Sequence, residues 1–144
     1  MDSSNITNAF IQPLDDFSET NLKISLSKVK GLTENQNLLV IQSTIENSIK
    51  LSIYPIFKDK ITKVSLYGLK LSKKVLKEIS KILQKFQVIH ASGFLKIKKQ
   101  LFYECYLNLN LSEKKGSAEL KSSLDKIKNV FQHVKIEEIG IKNR

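Results

Sequence analysis

Apolar residues recur with two distinct periods along this chain, and the switches between them divide it into segments. LKISLSKV places Leu22, Ile24 and Leu26 on one side and predicts a strand ending at Gly31. LLVIQS and NSIKLSIYP, with Ile49, Leu51 and Ile53 alternating, predict a hairpin whose second strand stops at Pro55. The first arm also fits a helix through Leu38, Ile41, Ile45 and Ile49, and strand is the reading adopted. ITKVSLYG reads as a strand closed by Gly68. The period then changes to three and four: Leu71, Val75, Leu76, Ile79, Ile82, Leu83 and Phe86 mark one face of a helix, with Ser72 as its N-cap.

QVIHASGFLKIKK predicts a strand broken near Gly93, and a tight reversal leads into LFYECYLNLNL, where Leu101, Tyr103, Cys105, Leu107 and Leu109 share one side. SEKKGS reads as a loop. A second helix follows with Leu120, Leu124, Ile127 and Phe131 inward, and VKIEEIGI closes as a strand. From Ile61 the order is strand, helix, strand, strand, helix, strand. That order predicts an α+β fold, a ferredoxin-like plait with two helices on one face of an antiparallel sheet. Three parts result: an arm over residues 1–21, in which Phe10, Ile11, Leu14 and Phe17 are candidates to pin it down, a β-rich extension or cap over 22–60, and the plait over 61–144. Phe102 and Tyr106 point away from the helix-covered face in this scheme, and two aromatics on a bare sheet need a partner.

The segment Ile61–Ile141 resembles the ACT domain, a ferredoxin-like regulatory module. The resemblance lies in the strand ending at Gly68, in VLKEISKILQKF followed directly by QVIH, and in the closing KIKNVFQHVKIEEI. It implies pairing of domains and a small ligand held at the turn between first strand and first helix, here Gly68, Leu69, Lys70, Leu71, Ser72 and Lys73. The family's ligand-binding turn is Asp-Arg-Pro-Gly-like, and this chain has neither that proline nor that glycine. The RNA recognition motif has the same element order, and VSLYGL is similar to its first-strand signature. Ser65 stands where that signature has an aromatic, and KQLFYECY lacks the glycine that follows the basic residue of its third-strand signature.

Charge changes the picture of partners. The formal net charge is +10 over 144 residues, and residues 1–60 hold six lysines against seven acids, so the excess lies wholly in the plait segment. Such a field attracts anionic polymers. All basic residues but Arg144 are lysine, which favours sequence-independent attraction over base reading. A lysine-rich set of Lys74, Lys77, Lys81, Lys96, Lys98 and Lys99, with Phe102 and Tyr106 as stacking groups, is the alternative nucleic-acid surface; coding bias explains the same lysines without function.

No cofactor or catalytic motif is present: there is no G-x-G-x-x-G, P-loop or nucleophile elbow, and Glu137 and Glu138 alternate to opposite faces. His90 and His133 are read as lying on neighbouring strands, with Glu104 the only conceivable third ligand, and no metal site is assigned. Cys105 is the single cysteine and reads as a buried thiol. The chain shows no secretory leader and no apolar run long enough for a membrane span. The sequence therefore leads to a cytoplasmic, non-enzymatic regulatory or assembly module that forms homo-oligomers and binds a small ligand at an interface, without cofactor or membrane.

Overall fold

A computed structural model describes residues 9–14, 18–27, 29–34, 36–68 and 72–141. The chain divides into two compact units, Met1–Leu32 and Thr33–Arg144. Within the first, the described residues form no helix or strand. The alternation at Leu22, Ile24 and Leu26 gives the segment two sides but no ladder, and a turn closes it instead, Val29 N donating to Leu26 O at 3.0 Å. The predicted strand there is corrected. Phe10, Ile11 and Leu14 are exposed, and Phe17 lies outside the described residues.

The second unit begins with an antiparallel ribbon, β1 (Asn37–Ile45) and β2 (Ser48–Ile56). Pro55 does not end β2; it sits inside it opposite Leu38. A two-stranded ribbon leaves each strand an open side, where a missing amide hydrogen costs no ladder bond. The plait follows as β3 (Lys60–Tyr67), α1 (Lys73–Gln84), β4 (Val88–Ala91), β5 (Leu95–Ile97), β6 (Gln100–Leu107), α2 (Lys114–Asp125) and β7 (His133–Gly140). Its sheet runs β4-β6-β3-β7, all antiparallel, with β5 continuing beyond β4 along the same side of β6. The strand carrying Cys105 is therefore central, as the long apolar alternation predicts.

Both helices cover the same face. Ile79, Leu83 and Phe86 from the α1 side and Leu120 and Leu124 from α2 share one core with Val64, Leu66, Cys105 and Leu107 of the central strands. Ser72 caps α1 by accepting a hydrogen bond from Val75 N at 3.2 Å. Two boundaries of α2 differ from the sequence reading. The helix starts at Lys114, inside the expected loop, and includes Gly116 because a Cβ there would fall 2.5 Å from Leu109 Cδ1. It ends at Asp125, so Ile127 and Phe131 reach the core from a 3₁₀ turn, Lys128–Val130, and its flanks. Ser92 makes the predicted break between β4 and β5, its Oγ accepting from Glu104 N at 3.0 Å before Gly93 turns at φ 75°.

No helix among the described residues is long and apolar enough to cross a membrane.

Candidate functional site

The second face of the sheet is where the sequence leaves chemistry without a cover. Strand alternation sets Ile61, Lys63, Ser65 and Tyr67 of β3 on it, with Phe102, Glu104 and Tyr106 of β6 and His133, Lys135, Glu137 and Ile139 of β7. The register arranges them in rows across the strands: Tyr106, Lys63 and Glu137; Glu104, Ser65 and Lys135; Phe102, Tyr67 and His133.

The base of the ribbon covers one end of this face. Leu39 and Ile41 of β1 are buried with Ile61, and Tyr54, Ile56, Ile89, Tyr106 and Ile139 pack around them. Polar ties hold the ribbon there. Tyr54 Oη and His90 Nδ1 are hydrogen-bonded at 2.7 Å, with their rings edge-on. Asn37 Nδ2 donates to Lys58 O at 3.2 Å, and Lys58 Nζ donates to Asn108 O at 3.1 Å while lying 3.5 Å from Glu113. Tyr106 is thus enclosed: His90 meets it edge-on, and Lys63 Nζ lies over its ring, 5.6 Å from the centroid. Burial pulls the Lys63 ammonium down, but its hydrogen bond with Glu104 at 3.2 Å, aided by Tyr106 and Glu137, outweighs that and holds it above the usual lysine value.

Beyond the ribbon's base the face changes character. Tyr67 and Phe102 are directly opposite on the two central strands, half-buried, with rings in edge contact at 5.3 Å. Leu95 pairs with Phe102 and Ile97 with Gln100, and both aliphatic side chains are more than half exposed. Ser65 Oγ is buried nearby without a hydrogen-bond partner.

The residues singled out from sequence are divided among three places. Lys74, Lys77 and Lys81 are exposed on α1, with the sheet between them and the aromatic face, so they do not form one surface with Phe102 and Tyr106. Lys96 pairs with Leu101, which packs toward the helices, and so belongs to the helix side of β5. Lys98 and Lys99 form the two-residue β5–β6 turn with φ 48° and 67°. At the corner after β3, Leu69, Lys70 and Leu71 lie outside the described residues, while Ser72 and Lys73 are exposed at the start of α1. Gly68 has φ 77°, donates its amide to Leu101 O at 2.9 Å, and leaves the room that Gln132 occupies. Gln132 also lines a cleft of about 230 Å³ along α2 and β7, with Lys121, Asp125 and Lys128 at its polar side.

The two histidines lie at opposite edges of the sheet, on β4 and β7, which corrects their reading as neighbours. The plait order, and not the order in the chain, sets the distance between them. Among the described residues no His, Cys, Asp and Glu group could hold a metal. Cys105 is fully buried, and burial pushes its thiol up to about 12; Tyr103, stacked on Phe94 at 4.7 Å, is pushed up to about 12 by burial and then by Cys105. Sequence reasoning missed Tyr67 as the cross-strand partner of Phe102 and Tyr54 as the hydrogen-bond partner of His90 from the other sheet. The Ser65–Tyr67 alternation carried the first signal, but only the packing of the ribbon against the plait reveals the second.

No protein-family model and no curated protein matches this chain. Among solved structures, a formyltetrahydrofolate deformylase from Pseudomonas putida KT2440 is similar over 59% of this chain and 29% of that chain, at 11% identity and a TM-score of 0.38.

Proposed function

We propose that the chain is a non-enzymatic regulatory or assembly module in which the plait is the rigid body and the β1–β2 ribbon is the surface where a second copy docks. One observation carries this reading. The side of the ribbon turned away from the sheet places Leu38 and Pro55, Val40 and Ile53, and Thr44 and Ile49 in opposed pairs, and Leu38, Val40 and Ile49 are 42, 54 and 63% exposed. Gln42, opposite Leu51, and Thr44 interrupt this face, and its exposed apolar positions form the docking surface of the proposal.

Charge selects the occupant. The positive excess lies in the plait segment, which repels the same segment of a second copy. The ribbon carries none of that excess, since residues 37–56 contain only Glu46 and Lys50 as charged groups. Two ribbons can meet face to face, or edge to edge through their open strands, without bringing lysines together. Pairing through this face keeps the Gly68–Lys73 corner and the cleft beside Gln132 as the place for a small ligand, with Lys121 and Lys128 favouring an anion.

Light scattering across a concentration series tests the reading. The mass rises from that of a 16.4 kDa monomer toward twice that value. A constant monomer at all concentrations, with no thermal shift in a panel of amino acids and nucleotides, removes it.

A further inference from the structure

The paired rings beyond the ribbon are a different surface, and we propose that Tyr67 and Phe102, with Lys98 and Lys99, bind single-stranded nucleic acid without sequence preference. The proposal does not rest on self-association.

Tyr67 and Phe102 are side by side on the two central strands, each mostly buried with part of its ring exposed, and the flanking, more exposed Leu95 and Ile97 extend the apolar surface to the β5 side. Bases stack on such a platform because every base has a π face. The acids on this sheet face are already neutralised: Glu104 lies 3.2 Å from Lys63, and Glu137 lies 3.2 Å from Lys135. Lys98 and Lys99 make no ion pair among the described residues, so they supply uncompensated positive charge at this end.

The turn gives independent support. Lys98 and Lys99 are the only described residues other than glycine with positive φ. A two-residue turn of this geometry strongly favours asparagine and glycine, and lysine at both positions works against folding. Non-glycine residues in this backbone region, held against local preference, motivate a role outside the fold. Lys99 is three residues from Phe102, about 10 Å along the strand, a span over which a phosphate can meet the ammonium while its base lies on the rings. Lysine is a compact charge that attracts phosphate without reading base edges, hence the absence of sequence preference. An acidic protein segment would also meet the lysines, but it has no need of two adjacent aromatic rings.

Fluorescence anisotropy of a labelled short oligothymidylate with the full chain, between about 50 and 200 mM salt, is the test. The single strand binds more tightly than a duplex of equal length. Phe102→Leu keeps the packing of an apolar side chain but removes the ring, and weakens binding at least about fivefold. Lys98→Asn with Lys99→Asn, which suits the turn and so preserves the fold, lowers the salt slope by about 1.4. Lys74→Gln, Lys77→Gln and Lys81→Gln together leave affinity within about twofold. No binding at the lowest salt overturns the proposal, as does a response confined to the α1 lysines. Displacement by polyglutamate combined with an unaffected Phe102→Leu assigns the surface to an acidic protein instead.

Discussion

Tyr54 Oη and His90 Nδ1 are 2.7 Å apart, and this bond ties β2 of the ribbon to β4 at the edge of the main sheet. With the apolar side chains at the ribbon's base, it joins these two sheets. Tyr54→Phe keeps the ring against His90 and removes only the hydroxyl. It lowers stability by about 1 kcal/mol. Hydrogen exchange locates the effect: amides of β1 and β2 exchange faster, while those of β3 and β6 quicken only as far as global stability falls. Equal acceleration in all strands contradicts the ribbon's independence.

Gly68 is fixed by both conformation and space. A Cβ added there would lie 2.8 Å from Cβ and Cγ of Gln132, on a backbone at φ 77°. Gly68→Ala therefore destabilises by about 1–2 kcal/mol in denaturant unfolding. Gln132→Ala does not restore the loss, because the Cβ of residue 132 is itself in the way. Full rescue shows that only the end of the glutamine side chain mattered.

Alkaline conditions weaken the fold. Cys105 and Tyr103 both titrate near 12 in the folded chain against ordinary values of 9.0 and 10.0. Between those limits the native state keeps protons that the unfolded chain releases, so stability is complete below about pH 9 and falls as pH rises toward 12. Lys63, also held above its ordinary value, acts in the same direction at the upper end. The slope reaches about 1.4 kcal/mol per pH unit for Cys105 and for Tyr103. Cys105→Ala flattens the lower part of this decline. At pH 8 the native thiol resists a disulfide reagent that labels it at once after unfolding; rapid labelling of the native chain contradicts the burial.

The Lys98–Lys99 turn gives a stabilising substitution. Lys98→Asn with Lys99→Gly supplies the residues that a turn with two positive φ values favours, and it raises stability by about 1 kcal/mol or more in thermal unfolding. No gain shows that the lysines adopt this backbone without cost.

Much of the fold was legible because burial imposes a period. Val64, Leu66, Cys105 and Leu107 alternate toward the helices, and Ile79 and Leu83 recur at helical spacing, as a sheet covered on one face requires. Leu22, Ile24 and Leu26 alternate equally well and form no strand, since a strand also needs a partner for its amides. Gly116 concealed the first turn of α2, because its tolerance depends on Leu109, seven residues away and read from another element. The candidate surfaces were harder to read. Phe102 was correctly placed on the second face, but its neighbour Tyr67 follows from the β3–β6 register, and the enclosure of Tyr106 follows from where the ribbon folds back. Lys74, Lys77 and Lys81 were grouped with those aromatics by sign of charge alone, and the sheet separates them.

The mass of the Val40→Lys, Ile49→Lys double variant, set against that of the original chain by light scattering at matched concentration and salt, addresses the ribbon interface most directly. Both residues are exposed on one face of the ribbon, so the variant folds with unchanged thermal stability. The account predicts a self-associating original chain and a monomeric variant. Equal masses for the two, whether both monomer or both dimer, contradict docking through that face.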